Sequence, residues 1–152
     1  MRILVQNVKK CSVSIDNNKY SEIQKGYCLF VSFTNGDNLE IVNKMVKKLL
    51  NARLFQDDTG KTNLNLSQVN GEIMSISQFT LYANLAHGNR PDFLNCLKFD
   101  EAKNLYEEFN KKLEENNVKF KTGVFGADME VEILNDGPFT IILDSEELKL
   151  WK

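Results

Sequence analysis

Histidine is nearly absent from this chain: there is one, His87, in 152 residues, alongside two prolines and three cysteines. A Ser-His-Asp or Cys-His system would have to run through His87, whose neighbours give it no support, so an exposed loop histidine is the simpler reading. No histidine pair, Cys-x-x-Cys or carboxylate cluster is present to hold a metal. Asp57-Asp58-Thr59-Gly60-Lys61 lacks the spacing and closing Glu of a calcium loop. No P-loop or dinucleotide fingerprint occurs; Gly123-x-x-Gly126 is too short and isolated. Cys11, Cys28 and Cys96 are odd in number and scattered, which fits reduced thiols in a cytoplasm. No apolar run approaches the ~20 residues of a membrane span, and Met1–Gln6 turns polar too soon for a signal peptide. The net charge of −2 supplies no strong field for nucleic acid or membrane. Contact with RNA should therefore be at a small end or local feature. An enzyme built this way works without a cofactor and without a strong protein base. Such a site suits an activated substrate, with positioning and backbone hydrogen bonds supplying most of the rate.

What is present reads as one domain over 1–152, with 42% hydrophobic and 26% charged residues. Alternation over 2–15 and 19–24, around Asp16-Asn17-Asn18, predicts a hairpin. Tyr27–Phe33 is nearly continuous in apolar residues, as in a strand covered on both faces. Leu39, Val42, Met45, Val46, Leu49 and Leu50 fall at helical spacing behind Asp37 or Asn38 as cap. Lys44, Lys47 and Lys48 face outward, as an RNA patch or, more simply, a solvated face. Arg53-Leu54-Phe55 reads as a short strand, Asn70-Gly71 as a hairpin turn, and 72–79 as a buried strand. Residues 83–92 form a loop and 92–97 a short helical turn. Asp100 caps a second helix over about 101–116, with Glu107–Lys111 and Glu108–Lys112 pairs outside. Strands at 118–124, 128–134 and 138–144 close the chain. The fold class is α+β, a layered or barrel-like mixed and mostly antiparallel sheet with two main helices outside.

Ser77-Gln78-Phe79-Thr80-Leu81-Tyr82 gathers hydroxyls, a carboxamide and aromatics where the apolar run Ile73–Ile76 ends. A strand end that delivers polar side chains into a loop is a common way to build a site. Periodicity alone reads it as ordinary strand, Gln78 and Thr80 on one face and Phe79 and Leu81 on the other. Asn135-Asp136-Gly137-Pro138-Phe139-Thr140 similarly reads as a tight turn into the last strand.

Together, Ser77-Gln78-Phe79-Thr80 and Asn135-x-Gly137-Pro138-x-Thr140 resemble the D-aminoacyl-tRNA deacylase family. Met1-Arg2-x-x-x-Gln6, Asn51-x-Arg53-x-Phe55, Gly60-Lys61-x-Asn63, Gly88-x-Arg90-Pro91-x-Phe93 and Thr122-Gly123-x-Phe125-Gly126-Ala127-Asp128-Met129 stand in the family's order. Each motif is weak alone; jointly they are specific and cover essentially the whole chain. The resemblance implies a cytoplasmic homodimer with active sites at the interface, no cofactor and no metal. Its substrate would be tRNA carrying a D-amino acid, or glycine, on the 3′-terminal adenosine.

Carried over, Gly137-Pro138 would be a Gly–cis-Pro element reaching into the partner's pocket. Its carbonyls would hold the amino group and leave no room for an L side chain. Asn135 and Thr140 flank it. Ser77, Gln78, Phe79 and Thr80 would line the ester side, with backbone N–H groups for the oxyanion. Thr80 is the family's candidate nucleophile, but no base is visible to activate it. Attack by water assisted by the adenosine 2′-hydroxyl is the better hypothesis. Phe125 and Met129 would contact the adenine, or are core side chains flanking a turn. The chain departs from the family in having Asn7 where an arginine usually supports the Gly-Pro element. It also lacks permanent charge in Asn84-Leu85-Ala86-His87. The rival from another class is a non-catalytic RNA- or nucleotide-binding module using the same pocket. A structural dimer with a trans Gly137-Pro138 turn is a third.

Overall fold

The computed structural model describes residues 1–150. Eight strands and two helices follow the expected class. β1 (Arg2–Ile15) and β2 (Asn18–Ile23) form the predicted hairpin, antiparallel, with Asp16 and Asn17 at positive φ in its turn. β3 (Gly26–Ser32) pairs antiparallel with the first half of β1, so β2 and β3 succeed each other along one edge of β1. All of β3 but Phe30 is buried, as the continuous apolar run requires.

The other edge of β1 carries β8 (Glu130–Asp144), antiparallel over nearly its whole length. Here the structure departs from the expected two strands and a turn. Val8 faces Asn135 and Gln6 faces Thr140, so four residues, 136–139, lie opposite Asn7 alone. Gly137-Pro138 is therefore the tip of a bulge inside one strand, because both halves of β8 keep their pairing with β1.

β6 (Glu72–Ser77) runs parallel to β3, and β7 (Phe120–Thr122) parallel to β6. Asn70-Gly71 is therefore no hairpin. A single 3-10 turn, Ser67–Val69, precedes it, and Asn70 takes a left-handed conformation before the chain enters a parallel strand. β4 (Phe55–Gln56) and β5 (Thr62–Leu64) make a separate small ribbon. The Ser21 hydroxyl of β2 donates to the Thr122 carbonyl of β7 at 2.7 Å, which links the two ends of the sheet and nearly closes it into a barrel.

α1 (Leu39–Asn51) starts at Asn38, whose side chain accepts from the Ile41 N–H at 3.1 Å. Its inner face is Ile41, Val42, Met45, Val46 and Leu49, whereas Leu39 is exposed. Lys47 and Lys48 are solvated, and Lys44 pairs with Glu40 at 2.7 Å. α2 (Phe99–Glu115) begins two residues before the expected start, and Asp100 sits in its first turn, not at its cap. The predicted Glu107–Lys111 and Glu108–Lys112 pairs give way to Lys103–Glu107 at 3.9 Å and Lys112–Glu115 at 2.7 Å. Over 92–97 there is one turn and no helix: the Cys96 N–H bonds to the Phe93 carbonyl at 3.0 Å, with bridges Asn84–Asp92 and Thr34–Cys96 on either side.

The larger core cluster joins both helices to β1 and β3, with Phe109, Leu113, Met45 and Leu49 fully buried. Each such side chain contributes about 1.5–3 kcal/mol through burial. A smaller cluster inside the barrel holds Val8, Cys11, Val13, Ile23, Cys28, Met74 and Ile76. All three cysteines are free. Among the described residues no helix is long and apolar enough to cross a membrane.

Candidate active site

β6 ends at Ser77, and the chain passes directly into a 3-10 turn, Phe79–Tyr82. The alternation expected of a strand is lost here: Phe79 and Thr80 are both exposed. The turn's entry is held from two sides. Tyr106 of α2 donates its OH to the Ser75 carbonyl at 2.8 Å, and the Ser75 hydroxyl lies 2.8 Å from Asn110 Oδ1. Burial above all pushes the Tyr106 phenol up, so it stays a donor. From β3, the Val31 carbonyl accepts the Gln78 N–H at 2.8 Å, and the Ser32 hydroxyl donates to the Phe79 carbonyl at 3.3 Å. The Cys96 thiol donates to that same carbonyl at 3.3 Å. Burial, and then the Asp92 charge, push this thiol up and keep it protonated.

The first N–H groups of a helical turn have no acceptor within it. Those of Phe79 and Thr80 have none at all among the described residues. Thr80 Oγ1 accepts from Gln78 Nε2 at 2.5 Å, and no carboxylate, imidazole or amine among the described residues bonds to it.

A cavity of about 540 Å³ opens beside this turn, within the range of small-molecule sites. Ser77, Gln78, Phe79, Phe125 and Met129 all line it, with Ile76 and Ala102 adding apolar wall. Phe125 is braced by Phe99 edge-on at 5.1 Å and by Tyr106 at 5.6 Å between ring centroids. Met129 packs over the backbone of Gly123, where a Cβ would come within 2.4 Å of its sulfur. Each of these two residues is half-buried against the core and also lines the cavity.

Thr80, Asn135, Gly137, Pro138 and Thr140 do not line that cavity. All five are exposed, and the Gly137–Pro138 peptide is cis, with φ of 128° at Gly137. Thr140 Oγ1 accepts from Gln6 Nε2 at 3.3 Å. Asn7 is buried and gives its Nδ2 to the Leu54 carbonyl at 2.7 Å, while its Oδ1 has no partner among the described residues. His87 is exposed in its loop. The supporting groups at Ser32 and Cys96 were invisible in sequence, because they meet Phe79 across 47 and 17 residues.

The model of the family described as D-Tyr-tRNA(Tyr) deacylase matches residues 4–144. A D-aminoacyl-tRNA deacylase of Lactobacillus gasseri is 49% identical over 144 residues, covering 95% of this chain and 99% of its own. One from Staphylococcus haemolyticus is 49% identical over 150 residues, covering 99% of each. Among solved structures, the c-Myc DNA unwinding element binding protein superposes with a TM-score of 0.89 at 36% identity, covering 95% of this chain and 99% of its own. A probable eukaryotic D-amino acid tRNA deacylase superposes with a TM-score of 0.82 at 16% identity, covering 93% and 97%. That last likeness is one of fold.

Proposed function

The chain belongs to the D-Tyr-tRNA(Tyr) deacylase family, and from that premise we propose that it hydrolyses the ester between a D-amino acid and the 3′-terminal adenosine of tRNA. The observation that carries the reading is the turn at the cavity edge: two N–H groups without acceptors, at Phe79 and Thr80, beside an apolar slot walled by Phe125 and Met129. The adenine occupies the slot. The ester carbonyl takes the two N–H groups, which meet the negative charge that develops on its oxygen. Water adds to the carbonyl carbon, the bond to the 3′-oxygen breaks, and the 3′-oxygen takes a proton. Free amino acid and tRNA result. The adenosine 2′-hydroxyl assists the water, because Thr80 has no base beside it. No cofactor enters these steps.

Chiral selection comes from Gly137-Pro138 of a second copy of the chain. Two features support a shared site. The Gly-Pro tip is exposed and outside its own chain's cavity. The outer edge of β8 is also unpaired among the described residues, with Leu134 at 57% and Ile142 at 56% exposure. The Gly137 and Pro138 carbonyls hold the amino group and crowd an L side chain out. Glycine, with no side chain to reject, is removed as well. The whole chain acts as one domain, in the cytoplasm where tRNA is charged.

The test compares D-Tyr-tRNA with L-Tyr-tRNA at catalytic enzyme. Release of the D form with the L form spared is expected, with a sedimentation mass of two chains. A substrate ending in 2′-deoxyadenosine should turn over far more slowly; an equal rate would remove the 2′-hydroxyl from the mechanism. The name of the 36%-identical solved relative favours a nucleic-acid-binding module as the second reading. That module would bind tRNA with a marked salt slope and release nothing.

A further inference from the structure

We propose that Arg2 is a positioning residue that fixes the Phe79–Tyr82 turn against the end of the barrel, and through it the N–H groups of Phe79 and Thr80. The inference rests on the reading of that turn as the ester-facing side of the site. Its basis is a three-way contact. Arg2 Nε donates to Asp144 Oδ2 at 2.8 Å, Arg2 Nη1 donates to the Leu81 carbonyl at 2.7 Å, and the guanidinium lies 4.5 Å from the centre of the Tyr82 ring. Asp144 is itself oriented, since its Oδ1 accepts the Glu146 N–H at 2.9 Å. Three distant parts of the chain thus meet on one side chain: the start of β1, the end of β8 and the second half of the turn.

The two halves of the turn are held differently. Its entry is tied to β3 and Cys96 by the bonds to Gln78 and Phe79. Beyond Thr80 the backbone bonds are internal, such as Ala83 N–H to the Thr80 carbonyl at 3.0 Å. The Arg2 bond is the one hydrogen bond from Thr80–Ala83 to the barrel among the described residues. The planar fork of Arg2 serves Asp144 and Leu81 at once while its face lies over the Tyr82 ring; a lysine ammonium is a compact charge without that fixed fork and flat face. The barrel does not need the side chain, because Arg2 and Asp144 are already paired through their backbones. The Arg2 side chain is one-third exposed but Asp144 is buried, so losing Arg2 leaves a carboxylate unpaired at the end of β8 and lowers stability there.

Arg2→Gln and Arg2→Lys test this. Both are large behind Met1 and keep its amine in place, where it bonds to Asp37 and the Ser145 hydroxyl. With D-Tyr-tRNA as substrate, kcat should fall about 10- to 100-fold in Arg2→Gln, the cost of a loosened reacting geometry. KM should stay within about twofold, since the adenosine slot is untouched. Hydrogen exchange should quicken at the amides of residues 79–83 while the β1 and β3 amides keep wild-type rates. Arg2→Lys should be impaired in the same direction. Wild-type kcat in either folded variant overturns the proposal, as does exchange that is unchanged in 79–83 or raised evenly everywhere. If Arg2→Gln does not fold, Arg2→Lys decides by the same readings. A wild-type protein inactive on D-Tyr-tRNA would sink the deacylase reading instead, and the exchange measurement would still decide whether Arg2 holds the turn.

Discussion

Replacing Gly137 with alanine probes the proposed selector at one atom. Gly137 has φ of 128°, a region that L residues rarely adopt. A Cβ there would lie 2.7 Å from the Phe139 backbone nitrogen, closer than such contacts occur, and backbone does not move aside as a flexible side-chain end does. The strain is about 1–3 kcal/mol if the bulge keeps its shape. It stays local, because β1–β8 pairing continues on both sides of 136–139. For a chain of this size the melting point should fall by about 2–4 °C per kcal/mol, and the fold should survive. The bulge relieves only part of that strain by shifting, and as it shifts the Gly137 carbonyl moves and the amino group of the substrate loses its acceptor. Gly137→Ala should therefore release D-Tyr from tRNA at least about tenfold more slowly, the cost of about one lost hydrogen bond to a charged group. L-Tyr release should rise relative to D-Tyr release. The assay is the D/L ratio at matched enzyme, read beside a thermal melt. A lowered melting point with an unchanged D/L ratio would refute the argument that this element selects. An unchanged melting point would refute the strain that the argument begins from.

Thr80→Val keeps the shape of the side chain and removes its hydroxyl. Because no base adjoins Thr80, kcat should fall less than about tenfold; a loss beyond about 10⁴-fold would make Thr80 the nucleophile. Gly123→Ala puts a methyl against the Met129 sulfur, a flexible end that can swing away. Its melting point should change by no more than a few degrees, while KM for tRNA rises several-fold as one wall of the adenosine slot moves; an unchanged KM would take Met129 out of that slot. Asp144 bears on pH. Burial raises its carboxyl, but the Arg2 hydrogen bond and the Glu146 N–H outweigh it and hold the group below its ordinary value. A depressed folded value means stability that is complete above an unfolded value of about 3.9 and is lost as pH falls through the lower one. Asp37 has the opposite sign, since burial raises it despite the Met1 amine. The stability gap between wild type and Asp144→Asn should thus be full at pH 7 and close below about pH 4; a gap that stays constant to pH 2.5 would refute this.

Local patterns were legible because they depend on neighbours. The β1–β2 hairpin, the buried β3, the Asn38 cap of α1 and the apolar stripe of α2 all follow from period and turn chemistry. Family membership was legible because ordered motifs span the chain. Chain pairing was less so. Asn70-Gly71 has the composition of a hairpin turn, yet β6 finds β3 and β7 in parallel, since the apolar run 73–76 is buried on both faces only there. Asn135–Pro138 has the composition of a turn, yet both halves of β8 continue along β1.

Sequence alone determined the class of the fold, which rests on side-chain type and short spacing, and the family, which rests on motifs standing in order along the chain; only the resemblance to that family singled out Ser77–Phe79, Phe125 and Met129, which the structure places on the cavity wall. Only the tertiary structure decided how Ser77–Tyr82 leaves its strand, which of its N–H groups lack acceptors among the described residues, and that Gly137-Pro138 lies outside its own chain's cavity. It also decided what holds the turn. Arg2 reaches Asp144 across 142 residues and the Leu81 carbonyl across 79. A carbonyl exists at every position, so no residue type marks the one that will be bonded. That choice is made by the closure of the barrel, which brings the start of β1, the end of β8 and the turn to the same edge.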